Sequence, residues 1–246
     1  MKKYVVSQIG EFHLNHNEDS SAIVEIGEDR ILIAVMDGCS MGKESHFVST
    51  LIAKLLRKIG KEISFREFAE RARKEVSECL EEVLQKLFED LRHLQNTLHL
   101  SREEILSTLI LGILDTRQNA VELIAVGDGL VCCNKELIEY EQDDQPDYLG
   151  YHLSEDFSSW FQNQTQKLRF KNVEDLSIST DGIFTFRNFD AKRYPGITEE
   201  EIVNYLLIDE KGADEEHMLK KKILQMENEF GLKPSDDLTI IRIRTK

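Results

Sequence analysis

Long apolar runs are missing from this chain of 246 residues. None approaches the roughly 18–20 residues needed to cross a bilayer. The opening stretch MKKYVVSQIGEF has basic residues but no apolar run long enough for a signal peptide. Proline is scarce, with three residues at positions 146, 195 and 234, and no Gly/Ser-rich linker interrupts the chain. One domain over 1–246 is therefore expected, because 41% hydrophobic content at this length supplies one sizeable core. Cysteine is scarce too. Cys39, Cys79, Cys132 and Cys133 show neither zinc spacing nor a disulfide framework, which fits a reducing cytoplasm. Cys132 and Cys133 alternate across a strand and cannot both face one ligand. An excess of basic charge is also absent. The net charge of −15 argues against a nucleic-acid surface and against anionic membranes, since both need clustered Lys and Arg. Carboxylates instead suit hard divalent cations, although most of these acids are read as ordinary solubility.

What is present centres on residues 31–42, ILIAVMDGCSMG. Residues 31–36 are apolar without a break and rich in branched side chains, as in a strand buried on both faces. The run stops at Asp37-Gly38. Taken alone this pair reads as a turn; the sharper reading, which the rest of the chain brings forward, is a metal ligand with a glycine that lets the backbone approach the ion. Before it lie a short strand at 3–9, a polar loop at 11–20 (EFHLNHNEDS) and a strand at 22–26. The turn Gly27-Glu28-Asp29 makes the strands at 22–26 and 31–36 a hairpin, with Glu18 and Asp19 at the same sheet end as Asp37.

A helix follows, its apolar face running from Phe47 to Ile59, and Gly60 is expected to close it. Ser64-Phe65-Arg66-Glu67 has the form of a capping box, which predicts a second amphipathic helix from there to about Leu94, with Phe68 on its apolar side. Strands at 106–115, 121–126, 130–133 and 137–140 read as an antiparallel meander, which rules out a Rossmann or TIM fold. Residues 142–166 are acidic and aromatic without a period, and read as a surface excursion with a functional role. Strands at 167–170 and 176–180, helices at 199–208 and 214–230, and a last strand at 238–244 complete the chain. Blocks of strands and helices of this kind make an α+β protein.

Acidic residues recur at strand ends: Glu18-Asp19, Asp37-Gly38, Asp128 between two glycines, Asp181-Gly182 and Asp236-Asp237. One such turn means nothing, but several suggest a site of oxygen ligands assembled from distant segments, suited to Mg²⁺ or Mn²⁺. The ordered series NEDS (17–20), ILIAVMDG (31–38), STLILGILD (107–115), AVGDG (125–129), ISTDGIF (178–184) and SDDLTIIRI (235–243) resembles the PPM/PP2C metal-dependent protein phosphatases of bacterial type, from about residue 5 to 244.

The resemblance implies a four-layer α-β-β-α sandwich of two antiparallel sheets flanked by helix pairs. It implies two Mn²⁺ or Mg²⁺ ions at one end of it. Asp37 bridges both ions, Glu18 and the Gly38 carbonyl serve one, Asp181 and Asp236 the other, and Asp19 holds a metal-bound water. Asp37, Glu18 and Asp19 thereby carry catalysis. Asp128 matches a residue tied to a third, weaker ion, but the expected companion acid is Thr185. Two ions of this kind offset the charge of carboxylates and phosphate and activate water for in-line attack, so no protein nucleophile is needed.

The chain also departs from the family pattern. The usual phosphate-docking arginine, four residues before Glu18, is Leu14. His13, His16 and Lys43 are candidate substitutes, each with the plainer reading of an exposed polar side chain. Cys39 stands where many members carry a histidine acid, with the plainer reading of a small, partly buried residue. The implied activity is that of a Ser/Thr phosphoprotein phosphatase acting opposite a kinase. Two alternatives stay open. One is a phosphatase for a small phosphorylated molecule. The other is a pseudophosphatase or scaffold that binds metal and a partner without efficient turnover.

Overall fold

In the computed structural model of the protein, the structure describes residues 1–141, 146–190 and 196–245. The first four positions of the predicted excursion at 142–166, and Pro195, lie outside the described residues. The elements in order are β1 (Lys2–Gln8), β2 (Asp19–Ile26), β3 (Arg30–Asp37), α1 (Ser45–Glu70), α2 (Val76–Leu98), β4 (Leu109–Asp115), β5 (Ala120–Val126), β6 (Gly129–Cys133) and β7 (Glu136–Tyr140). There follow α3 (Leu149–His152), α4 (Phe157–Asn163), β8 (Lys167–Lys171), β9 (Asp175–Ser179), β10 (Phe186–Asn188), α5 (Glu199–Leu207), α6 (Met218–Phe230), β11 (Leu232–Pro234) and β12 (Leu238–Arg244).

Two antiparallel five-stranded sheets result, in the orders β2-β3-β4-β5-β8 and β1-β12-β9-β6-β7, with a small β10-β11 ribbon beside them. Alternation along β3 explains the layering. Ile31, Ile33 and Val35 face inward and meet Val131, Ile178, Ile241 and Ile243 of the other sheet. Leu32, Ala34 and Met36 face outward and are covered by α1 and α2. Tyr4, Leu130 and Ile240 of the second sheet are covered in turn by α5 and α6. The architecture is the expected α-β-β-α sandwich. Cys132 joins the helix-side core and Cys133 the inter-sheet core, as strand alternation requires.

Several local expectations are corrected. Gly60 does not end a helix: α1 runs through it to Glu70. The glycine is there because the helix lies on β2, and a Cβ would stand 2.7 Å from Val24 Cγ1. Ser64 opens no helix either. Its hydroxyl accepts a hydrogen bond from the Gly27 amide at 3.1 Å, across to the β2–β3 turn. The break falls at Arg71, with its left-handed φ of 51°, and the capping box that starts α2 is Glu75 with Glu78. Phe68 is 84% exposed and not on an apolar face. The meander is also split, since β5 and β6 lie in different sheets and the Gly127–Gly129 turn carries the chain between them. The described part of 142–166 is no loose loop. Tyr148, Leu149, Leu153 and Trp160 are buried, and the last three join the core under α1 and α2.

Candidate active site

Strand pairing brings the predicted acids together. In the β2–β3 register Asp19 sits directly opposite Asp37. In the other sheet β9 pairs with β12, so Asp181, two residues past the end of β9, and Asp236, two residues before β12, leave the same sheet end. Asp19 is buried, and Glu18, Asp37, Asp181 and Asp236 are half-buried.

Each acid is held by short-range hydrogen bonding. Asp19 Oδ2 accepts from the Thr180 hydroxyl at 2.7 Å, tying the first sheet to the second. Glu18 accepts from the hydroxyls of Ser40 (2.7 Å) and Ser45. The Asp37 amide donates to Thr108 Oγ1 at 3.2 Å, and its carbonyl accepts from the Thr108 amide at 2.8 Å. Gly38 is enclosed by backbone: its amide donates to the Glu18 carbonyl at 3.1 Å, and a Cβ would collide with the Ser45 carbonyl. The Asp236 amide donates to Thr185 Oγ1 at 3.1 Å, and that hydroxyl in turn donates to the Gly182 carbonyl at 2.9 Å. Thr185, the position where a third-ion acid was expected, thus joins the Asp181 and Asp236 turns.

The electrostatics of this group are unfavourable as it stands. Burial, and then the charges of Asp19, Asp181 and Asp236, hold the Asp37 carboxyl well above the usual carboxylate range. Burial pushes Asp19 up to about 8, with Asp181 and Asp237 adding to it against the opposing Thr180 hydrogen bond. Asp181 is pushed up to about 6 by burial, then by Asp236 and Asp128. Asp236 is raised as well, by burial first. Among the described residues, no N–H or O–H donor reaches the buried Asp19 Oδ1. Crowded carboxylates with an unsatisfied buried oxygen are the donor set of a hard divalent cation, whose charge would offset both the desolvation and the mutual repulsion. Among the described residues, no three such side chains already stand at ligating spacing; Glu18 is turned toward the two serines.

The remaining candidates separate. His13 joins the cluster, with Nδ1 2.9 Å from Asp237 Oδ2 and Nε2 3.5 Å from Asp236 Oδ1. His16 stacks on His46 at 4.1 Å, outside the carboxylate cluster. Cys39 is buried and packs with Leu106 and Tyr148. Leu14 is 88% exposed, and Lys43 is exposed too. Asp128 acts on Asp181 through its charge.

Two contributors were underrated in the sequence. Asp237 is buried, and its carboxylate accepts from the amides of Gly10 (2.7 Å) and Glu18, so it fixes the loop before β2. The signal for it was the doubled Asp236-Asp237. Tyr148 gave no signal beyond being aromatic within an acidic stretch.

A family model described as Protein phosphatase 2C matches residues 11–210. No curated protein matches the chain. Among solved structures, the chain is similar to the PP2C phosphatase domain with a fragment of the regulatory domain of SpoIIE from Bacillus subtilis. The TM-score is 0.61 at 17% identity, over 99% of this chain and 62% of that one. The SiaA-PP2C domain of Pseudomonas aeruginosa matches with a TM-score of 0.61 at 12% identity, over 98% of this chain and 85% of that one. RsbX in complex with magnesium matches with a TM-score of 0.50 at 15% identity, over 98% and 92%. These structures share the fold at low identity; the match to the family model over most of the length carries the assignment, and the chain belongs to the protein phosphatase 2C family.

Proposed function

We propose that the protein is a Mn²⁺- or Mg²⁺-dependent phosphatase of serine/threonine phosphoproteins, working in the cytoplasm opposite a kinase. The observation that carries this reading is the convergence of Asp19, Asp37, Asp181 and Asp236, each with its ionisation opposed by burial and nearby acids. The magnesium named with RsbX supports the choice of ion. Asp37, Glu18 and the Gly38 carbonyl would hold one ion, and Asp37, Asp181 and Asp236 the other, with Asp128 toward a weaker third. The ions, when bound, supply charge neutralisation and a water acidic enough to attack phosphorus at neutral pH. Asp19, its carboxylate fixed by Thr180, would hold that water. Asp237 and Thr185 keep the acidic turns in register. His13 stands beside Asp236 and Asp237 as the candidate phosphate contact or acid.

The exposed Leu14 favours a second reading, a protein that binds metal and a partner but turns over slowly. Hydrolysis of p-nitrophenyl phosphate in EDTA, Mg²⁺ or Mn²⁺ separates the two. Metal-dependent turnover that disappears in Asp37→Asn and Asp236→Asn is expected. A melting temperature raised by Mn²⁺ with no turnover would favour the second reading.

A further inference from the structure

Next to the carboxylate cluster lies a surface that the hydrolysis itself does not use. Phe12 is 64% exposed and Phe189 is 42% exposed on a chain with 31% charged residues. Their rings meet edge to face, with centroids 6.1 Å apart and planes at 78°. Arg187 is exposed and lies over the Phe12 ring, its Cζ 5.8 Å from the centroid.

This platform is fixed to the site by backbone. The Phe12 amide donates to the Ser235 carbonyl at 3.1 Å, one residue before Asp236. The next residue, His13, touches Asp236 and Asp237. Arg187 pairs with Lys233 across the β10–β11 ribbon. A phosphorylated chain that puts its phosphate at the acids therefore passes beside these rings.

The charge on this rim is selective. Lys233 is matched by Glu11 and Glu227. Arg187, among the described residues, has no ion-pair partner, only an aromatic face. A guanidinium held over a ring face keeps N–H groups available for a carboxylate. In a protein of net charge −15, an exposed cation over an exposed ring marks where an acidic partner gains most.

We propose that Phe12, Phe189 and Arg187 form a docking platform for the segment flanking the phosphorylated residue, fitted to an apolar side chain next to an acidic one. This rests on the phosphoprotein reading above for its occupant, but it concerns recognition and not hydrolysis.

Equilibrium binding of fluorescent phosphoserine peptides in EDTA tests it without turnover. One peptide carries Phe and Glu on both sides of the phosphoserine, and the other carries Ala there. The wild type binds the first about tenfold more tightly. Arg187→Gln and Phe12→Ala, with unchanged melting temperatures, each remove most of that difference, and Arg187→Lys keeps part of it. The same preference persists in the unphosphorylated pair.

Equal affinities in the wild type, or a preference that survives both substitutions, would overturn the platform. So would a loss of inorganic phosphate affinity in Arg187→Gln equal to its loss for the peptide, since Arg187 would then contact phosphate. Metal-dependent p-nitrophenyl phosphate turnover by the wild type reports separately on the phosphatase reading.

Discussion

The acids at the strand ends are placed where folding alone would not put them. Asp37 and Asp19 face each other across two strands whose other residues are largely apolar, and an uncompensated buried charge is destabilising. Asparagine in place of Asp37 keeps the shape and removes a group whose ionisation burial and the neighbouring acids oppose. Asp37→Asn is therefore expected to melt about 2–6 °C higher than wild type in EDTA. It should also lack the stabilisation by Mn²⁺ expected of the wild type. Thermal melts with and without metal check both parts, and a variant less stable than wild type in EDTA would contradict the crowding argument. These residues were legible because each stood at one end of a strand with a recognisable pattern. Tyr148 and Asp237 were harder to see. Their roles come from contacts with residues distant in the chain, packing on Cys39 for one and hydrogen bonds from the Gly10 and Glu18 amides for the other, and no local period encodes such a contact.

At the scale of elements, the strands and the outer faces of the helices were readable and the helix boundaries in the first pair were not. Hydrophobic alternation fixes a strand face directly. A glycine inside a helical pattern has two meanings, a stop or a close approach, and only the partner decides. At Gly60 the partner is Val24. Gly60→Ile is therefore expected to cost about 1–3 kcal/mol by overpacking, with part of the loss restored when Val24→Ala is added. Denaturant unfolding of the single and double variants measures the coupling, and strictly additive losses would disprove the contact.

The same helix pair carries an acid-sensitive clamp. Glu82 on α2 is bridged by Arg66 and by Lys74, which lies 3.1 Å away, and the Arg66 hydrogen bonds are the main cause that brings its pKa from 4.5 to about 2. A carboxylate depressed in the folded state contributes stability above its unfolded pKa and loses it as pH falls. The contribution is thus present above about pH 4.5 and fades between there and about pH 2. Glu82→Gln should lower the melting temperature at neutral pH and leave a flatter profile through that window. A melting profile as steep as the wild type's would place the acid sensitivity elsewhere.

Across the whole molecule, the two ends of the sandwich do different work. The acids gather where β3 and β9 finish and β12 begins. At the far end of β12, Arg242 is fully buried and bonds both oxygens of Asp175, at 2.9 and 2.6 Å. It also donates to the carbonyls of Leu206, Ile208 and Asp209 at 3.0–3.1 Å, closing the last turn of α5. One guanidinium thus satisfies a carboxylate and three helix-end carbonyls, a set that no single lysine could cover. Removing it leaves Asp175 with Arg244 Nε at 3.3 Å and takes the donor from three helix-end carbonyls, a loss of roughly 3–5 kcal/mol in all. Arg242→Met is therefore expected to melt roughly 10 °C lower. The site at the opposite end is held by other contacts, among them Thr180 on Asp19 and Asp237 on the loop before β2. The increase in melting temperature on adding Mn²⁺ should then survive in Arg242→Met, at nearly its wild-type size. If that increase vanished with the arginine, the two ends would be coupled through β12, and the acidic turns would owe their placement to the clamp.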